Sequence, residues 1–338
     1  MIVKNEEKYI DKCLSSVKDI FDEIIIVDTG SVDNTISICE KYTHKIYNFK
    51  WVDDFSKARN YSLSKATCDY IMWLDADDYL NEKEIFKLKQ LKDKMDDSFD
   101  IYYFLYNFNS EYEPFYRERL FKNNNKYFFK GKIHEAITPS GNIRYENIII
   151  TQQDKEIIDI SRNLKIYQKM DKKEFSNRDY YYYGKELFRN KKYKKSKVFL
   201  DKFLSLENIY IEDAIDACYL LSIITSNNNE ALKYLFYTFN YDLPRSNILC
   251  KIADIYYDKS LFDKAIYYYK LALNCTNNKK SFILKDFIGY YPSLKLCLCY
   301  DKLKDYKTAN EYNELANTYK NVPKIYQHNK DYFKSLIK

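Results

Sequence analysis

Hydrophobic positions change period along this chain, and the changes divide it. Ile10, Cys13, Leu14, Val17 and Phe21 recur at helical spacing, which predicts a helix over 8–21. The run EIIIVD at 23–28 is a continuous β-branched block closed by an acid, the pattern of a strand buried on both faces. Helix, strand and helix signals follow over 33–42, 45–49 and 55–65. DYIMWL at 69–74 is the next buried strand, and it runs into Asp75-Ala76-Asp77-Asp78. A helix over 82–95 and a strand over 101–108 complete a βαβ progression, so a parallel sheet covered by helices is expected. In such sheets ligands bind beyond the carboxyl ends of the strands, where both acidic clusters fall.

From residue 114 the pattern loosens into short aromatic strand-like pieces, FYRERLF, KYFF, KIHEAI and RYENIII. After residue 157 the strand signal stops and the remainder is helical, which sets the expected domains at 1–157 and 158–338. The second half repeats itself. Tetratricopeptide repeats of about 34 residues carry small residues where two helices must approach closely. In a copy starting at Asn177 the key positions are Gly184, Ser196 and Phe203; from Ser246 they are Ala253, Ala265 and Ala272; from Tyr290, Cys297, Ala309 and Ala316. A weaker copy starts at Glu212, with Ala231 in place, and one insertion of about ten residues precedes the last copy.

Composition narrows the class. With 338 residues, 46% hydrophobic and 31% charged, the chain suits two globular domains and excludes wholesale disorder. Only 5 Gly and 5 Pro leave little room for a turn-rich all-β fold. The net charge of +6 is small, and the basic cluster at 189–197 reads as a solvated turn between helices, so no nucleic-acid partner is expected. No segment has the apolar length of a membrane span or the pattern of a signal peptide. The 8 cysteines show neither zinc nor disulfide-scaffold spacing, and a reducing cytoplasm is the expected location.

The acids at the strand ends are the candidate chemistry. Moving a sugar from a nucleoside diphosphate requires recognition of the base, neutralisation of the diphosphate and deprotonation of the acceptor. A divalent metal held by carboxylates meets the second need, and Asp75-Ala76-Asp77 supplies a carboxylate pair after a buried strand. Asp28 ends another such strand, and Ser31 or Asp33 beyond it can equally be read as the cap of the following helix.

MIVKNEEKYIDKCLSSV, DEIIIVDTGSVDNT, WVDDFSKARNYSL and DYIMWLDADD occur in this order. Together they resemble glycosyltransferase family 2, the inverting GT-A-fold enzymes, and among these the bacterial members with C-terminal tetratricopeptide repeats, similar to sublancin-type peptide glycosyltransferases. The resemblance implies an α/β GT-A (Rossmann-like) nucleotide-sugar domain followed by an all-α tetratricopeptide-repeat domain. It implies that Asp28 bonds the uracil, with Lys4, Asn5 and Glu6 flanking the nucleotide, and that Arg59 approaches the base or diphosphate. Asp75 is expected at the ribose or a metal-bound water, and Asp77 on the metal, manganese or magnesium. RLFKNNNKYFFKGKIHEAI resembles a further family segment that places His134 and Glu135 toward sugar and acceptor, with Glu135 as the base. Without the resemblance His134 reads as a strand histidine. Two features depart from the family pattern. The first strand has only Met1-Ile2-Val3, and Thr151-Gln152-Gln153-Asp154 stands where relatives carry a His, leaving His134, Gln152 or water to replace that ligand.

The implied reaction moves a hexose or N-acetylhexosamine from a UDP-sugar to a peptide or protein side chain presented by the repeats. The alternatives are a cell-envelope saccharide or lipid acceptor, with the repeats free to form a homodimer, and a repeat scaffold with an inactive transferase domain.

Overall fold

The computed structural model describes residues 1–108, 110–154, 159–275 and 283–337. The chain divides into two compact units: Met1–Ser110 with Pro114–Gln168, and Glu111–Glu113 with Lys169–Lys338. The boundary expected at 157/158 lies outside the described residues.

The first unit opens with β1 (Ile2–Val3), α1 (Ile10–Val17), β2 (Ile26–Asp28), α2 (Thr35–Cys39) and β3 (Ile46–Asn48). The three strands form a parallel sheet in the order β1-β2-β3. Ile10, Cys13, Leu14 and Val17, four of the five residues expected on the apolar face, are buried, whereas the helix ends at Val17 and leaves the partly buried Phe21 beyond it. Then come α3 (Phe55–Leu63), β4 (Tyr70–Met72), β5 (Asp78–Tyr79), α4 (Glu82–Asp93), β6 (Ile101–Asn107), β7 (Phe115–Lys122), β8 (Phe129–Lys130), β9 (Ala136–Ile137) and β10 (Ile143–Gln152). Both α3 and α4 start on capped turns: the Asp54 carboxylate accepts the Lys57 amide, and Asn81 Oδ1 accepts that of Glu84.

The second sheet departs from the all-parallel expectation. Its order is β4-β7-β6-β10-β5, and only β10 and β6 run parallel within it. The short connection from β6 to β7 makes these two an antiparallel pair, because a parallel neighbour needs a crossover long enough to return to the starting edge. Apolar runs record burial, not the direction of the partner strand. KIHEAI likewise forms strand only at Ala136–Ile137, because Gly131 (φ +98°) and His134 (φ +53°) turn the backbone out of the extended region.

Among the described residues no helix is long and apolar enough to cross a membrane. α5 (Arg162–Lys169) leads to the second unit, a run of helix pairs: α6 (Asn177–Arg189) on α7 (Tyr193–Leu204), α8 (Ile211–Ile224) on α9 (Asn228–Tyr237), α10 (Ser246–Asp258) on α11 (Phe262–Leu273), and α12 (Tyr290–Lys302) on α13 (Tyr306–Tyr319), with α14 (Pro323–Leu336) last. Three first helices start where the repeat spacing expects, at Asn177, Ser246 and Tyr290, and that of the weaker copy starts one residue before Glu212. Gly184 shows why a small residue is required there: a Cβ at this position would lie 2.7 Å from the Leu200 side chain. Ser196, the next small position, donates its hydroxyl to the Gly184 carbonyl at 2.7 Å. Equivalent tyrosines stack in the two well-formed copies, Tyr256 on Tyr268 (5.6 Å, 11°) and Tyr300 on Tyr312 (5.5 Å, 6°). The expected ten-residue insertion falls between α11 and α12, partly outside the described residues. The basic cluster at 189–197 is the exposed α6–α7 turn and the start of α7, as its composition indicates.

Polar groups tie successive first helices together. Asp216 on α8 accepts the Tyr181 hydroxyl (2.6 Å) and the Lys185 ammonium (2.9 Å) from α6. Beside it, burial pushes the Asp213 carboxyl up to about 6, opposed by Arg178 and Lys185 and reinforced by Asp216 and Glu212. An acid raised in this way favours its neutral form when folded. Its contribution is therefore full below the unfolded value of about 3.9 and is lost as pH rises through 6. Asp213→Asn, neutral at every pH, is expected to stabilise the chain above pH 6 by up to about 3 kcal/mol and to change nothing below about pH 4. Denaturant unfolding at pH 4 and pH 8 checks this, and equal stability of the two proteins at pH 8 contradicts it.

Candidate active site

Asp28 ends β2 with its side chain turned back on the chain. Its carboxylate accepts the Gly30 amide (3.2 Å) and the Ser31 amide (3.0 Å), a turn that Gly30 permits at φ +107°. The segment after β1 is knitted to this turn. Asn5 donates its amide to Ser31 Oγ (3.1 Å) and accepts the Val32 amide on Oδ1 (2.8 Å), while the Glu6 amide reaches Thr35 Oγ1 (2.7 Å). The structure thus brings Asn5 and Glu6 to the Asp28 turn, with Lys4 exposed beside them. Neither Ser31 nor Asp33 is the cap residue of α2. That position is Asn34, which makes no side-chain cap; Asp33, one residue earlier, nonetheless accepts the amide of Thr35, the first residue of α2, at 3.0 Å, whereas Ser31 is engaged by Asn5.

The Asp75–Asp78 turn follows β4. The Asp75 amide donates to Asp78 Oδ2 (2.9 Å), and the Asp78 amide donates back to the Asp75 carbonyl (3.0 Å). Asp77, 4% exposed, accepts the Gln152 side-chain amide on Oδ2 at 2.7 Å. Antiparallel pairing of β10 with β5 puts Gln152 opposite Asp78 and so delivers this contact. Gln152, one of the three substitutes weighed for the family's missing His, is therefore the residue the fold places on Asp77.

Arg59 on α3 is the centre of the site's charge. Its Nη2 donates to Asp75 Oδ1 (2.6 Å) and its Nε to Glu135 Oε1 (2.5 Å). The sequence places Glu135 on a strand, where it and His134 would point to opposite faces. The bend at 131–135 replaces that strand and carries Glu135 to Arg59. Burial disfavours charge on Arg59, but Asp75 and Glu135 outweigh it and keep the guanidinium protonated. Burial also pushes Asp75 up, yet Arg59, Arg119 and Arg117 hold its carboxyl well below the usual range.

Arg119, Asp78, Trp73 and Arg117 were not anticipated as site residues. Arg119, fully buried, donates to Asp78 Oδ2 (2.8 Å) under the acidic turn, with its guanidinium 4.0 Å from the Trp73 ring. Arg119 sits where the β6–β7 register shifts, an extra residue that such a bulge can aim inward. Asp78 is pushed up by burial, with Arg119 opposing and the Asp75 and Asp77 carboxylates adding to the rise. Arg117 and Arg59 share the Trp73 ring at 4.6 and 4.8 Å. Two arginines spaced by two in the apolar strand FYRERLF are the signal that was available, since a buried strand seldom carries unpaired charge. Among the described residues no group of three or more His, Cys, Asp or Glu gathers to hold a metal ion.

Known proteins resemble this chain in parts. The SPbeta prophage-derived glycosyltransferase SunS of Bacillus subtilis is 38% identical over 140 residues, covering 40% of this chain and 33% of SunS. A TPR repeat-containing protein of Synechococcus elongatus is 48% identical over 80 residues, covering 24% of this chain and 20% of that protein. The poly(ribitol-phosphate) beta-N-acetylglucosaminyltransferase TarS of Staphylococcus aureus is 36% identical over 93 residues, 24% of this chain and 16% of TarS. The chain thus spans a third or less of the length of these relatives. Among solved structures, YrrB, a TPR protein with an unusual peptide-binding site, aligns at 16% identity and a TM-score of 0.39 over 51% of this chain and 84% of YrrB. The tetratricopeptide assignment of the second unit rests on the paired helices and the spacing of their small residues. Residues 1–157 match the model of glycosyl transferase family 2, and this part of the chain is a glycosyl transferase family 2 domain.

Proposed function

We propose that the chain is an inverting, metal-dependent glycosyltransferase that moves a hexose or N-acetylhexosamine from a UDP-sugar to a peptide or protein side chain. The observation that carries this reading is the Asp75-Ala76-Asp77 turn of a family 2 domain, with Asp77 held beside Gln152. Asp28 and the Lys4–Asn5–Glu6 segment form the nucleotide side. The donor set fits a hard divalent cation, manganese or magnesium. Such ions are held by one or two carboxylates and complete their shell with substrate phosphate oxygens and water. Asp77 is the carboxylate to hold it, since Asp75 is drawn onto Arg59. When bound, the ion neutralises charge that develops on the leaving diphosphate.

The chain's own residues supply the rest. Arg59 acts through Asp75 and Glu135, fixing both, rather than on the nucleotide itself. Glu135 is the base: Arg59 holds one carboxylate oxygen, and among the described residues the other accepts no hydrogen bond, leaving it for the acceptor's proton. His134, in the bend beside it, faces the sugar in this reading. The repeats present the acceptor, as stacked helical repeats offer an extended surface, and they are also where a homodimer would form. The eight unpaired cysteines accord with a cytoplasmic enzyme.

A second acceptor class is favoured by one specific observation, the likeness to TarS, whose name gives poly(ribitol-phosphate) as what it modifies. The test of the main reading is UDP release from UDP-glucose and UDP-N-acetylglucosamine, with and without manganese, followed by transfer to peptide or polyol-phosphate acceptors. Metal-stimulated release with transfer to peptide is the expected result. Release from neither sugar leaves a scaffold, and transfer to polyol phosphate alone replaces the acceptor.

A further inference from the structure

We infer that Arg117 binds the diphosphate of the sugar donor, an assignment that rests on the proposed function. Three guanidinium groups surround Trp73, and two of them are engaged. Arg59 bridges Asp75 and Glu135, and Arg119 is fully buried against Asp78. Arg117 differs. It is half-buried on β7, and among the described residues it forms no ion pair and no side-chain hydrogen bond. Its contacts are to aromatic faces, 4.6 Å from the Trp73 ring and 5.5 Å from that of Tyr106. Its charge nonetheless acts on the acidic turn, where it helps to depress Asp75.

Stacking of this kind fixes the plane of a guanidinium and leaves its N–H edges to meet a ligand. An exposed arginine on a strand needs no ligand, because its head reaches water along a flexible stem. Arg117 is instead held over two rings, one shared with Arg59 and Arg119, within the field of the carboxylate pair. A planar fork of donors matches phosphate oxygens in pairs, which a lysine ammonium does not. In the transfer step the acceptor oxygen, nitrogen or sulfur forms a bond to the anomeric carbon and gives its proton to Glu135. The bond from that carbon to the β-phosphate oxygen breaks, and its electron pair leaves on UDP. Arg117 donates to the diphosphate on which that charge collects, a group present in UDP and absent from uridine.

Isothermal titration of the full chain with uridine, UMP and UDP, in manganese and in EDTA, tests the assignment. Arg117→Ala is expected to weaken UDP binding about 10–100-fold, the range of a charge-assisted hydrogen bond, while uridine binding changes less than about twofold. Arg117→Lys should recover part of the UDP affinity. Thermal unfolding of both variants reports whether the fold is kept, and the lysine variant serves as the test if the alanine variant is unstable. Equal loss for UDP and uridine, or no loss for either, overturns the assignment while UDP binding by the wild type leaves the proposed function standing. A wild-type chain that binds no UDP removes both.

Discussion

Glu135→Gln is expected to lower sugar transfer about 10²–10⁴-fold, the usual contribution of a positioned base, with UDP affinity nearly unchanged. Glutamine keeps the shape of the side chain and removes the basic oxygen. It also removes one of the two anions on Arg59, but Asp75 remains, so the guanidinium keeps a partner and the chain should fold. The counter-variant is Arg59→Met, which removes the guanidinium that pairs with both Asp75 and Glu135. Breaking a buried ion pair from one side costs about 3–5 kcal/mol, so this variant should lose stability as well as activity. Single-turnover transfer, UDP titration and thermal unfolding on both variants separate the roles. A Glu135→Gln enzyme that turns over normally at saturating donor but binds UDP poorly places the base elsewhere.

Asp77→Asn should remove metal-dependent UDP release, lowering it on the order of 10³-fold at manganese concentrations that saturate the wild type. The fold should survive, because the contact to Gln152 can be kept with the glutamine amide turned over, its oxygen accepting from the new amide. Metal dependence of UDP release, measured with thermal unfolding on the same preparation, distinguishes a lost ligand from a lost fold. Full manganese-stimulated activity in a folded Asp77→Asn protein would refute the metal assignment.

What could be read from the sequence was local. The helical face of α1, the acids at the end of β2 and just beyond β4, and the repeat starts at Asn177, Ser246 and Tyr290 follow from period and from small residues at fixed intervals. Such features involve neighbours a few residues apart, or one unit copied along the chain, so they leave a regular trace in the order of residue types. Sheet direction left no such trace, because an apolar run is equally suited to a parallel or an antiparallel neighbour.

The site's charge network was decided by the tertiary structure alone. Arg59 meets Asp75 across 16 residues and Glu135 across 76, Arg119 meets Asp78 across 41, and Gln152 meets Asp77 across 75. Each contact depends on which strands became neighbours and on where the backbone bends, at Gly131 and His134, or bulges, at Arg119. The residue types announced that acids and arginines were present. Only the fold assigned each charge its partner, because Coulomb attraction acts on distance in space, and the sheet order, not the chain order, sets that distance.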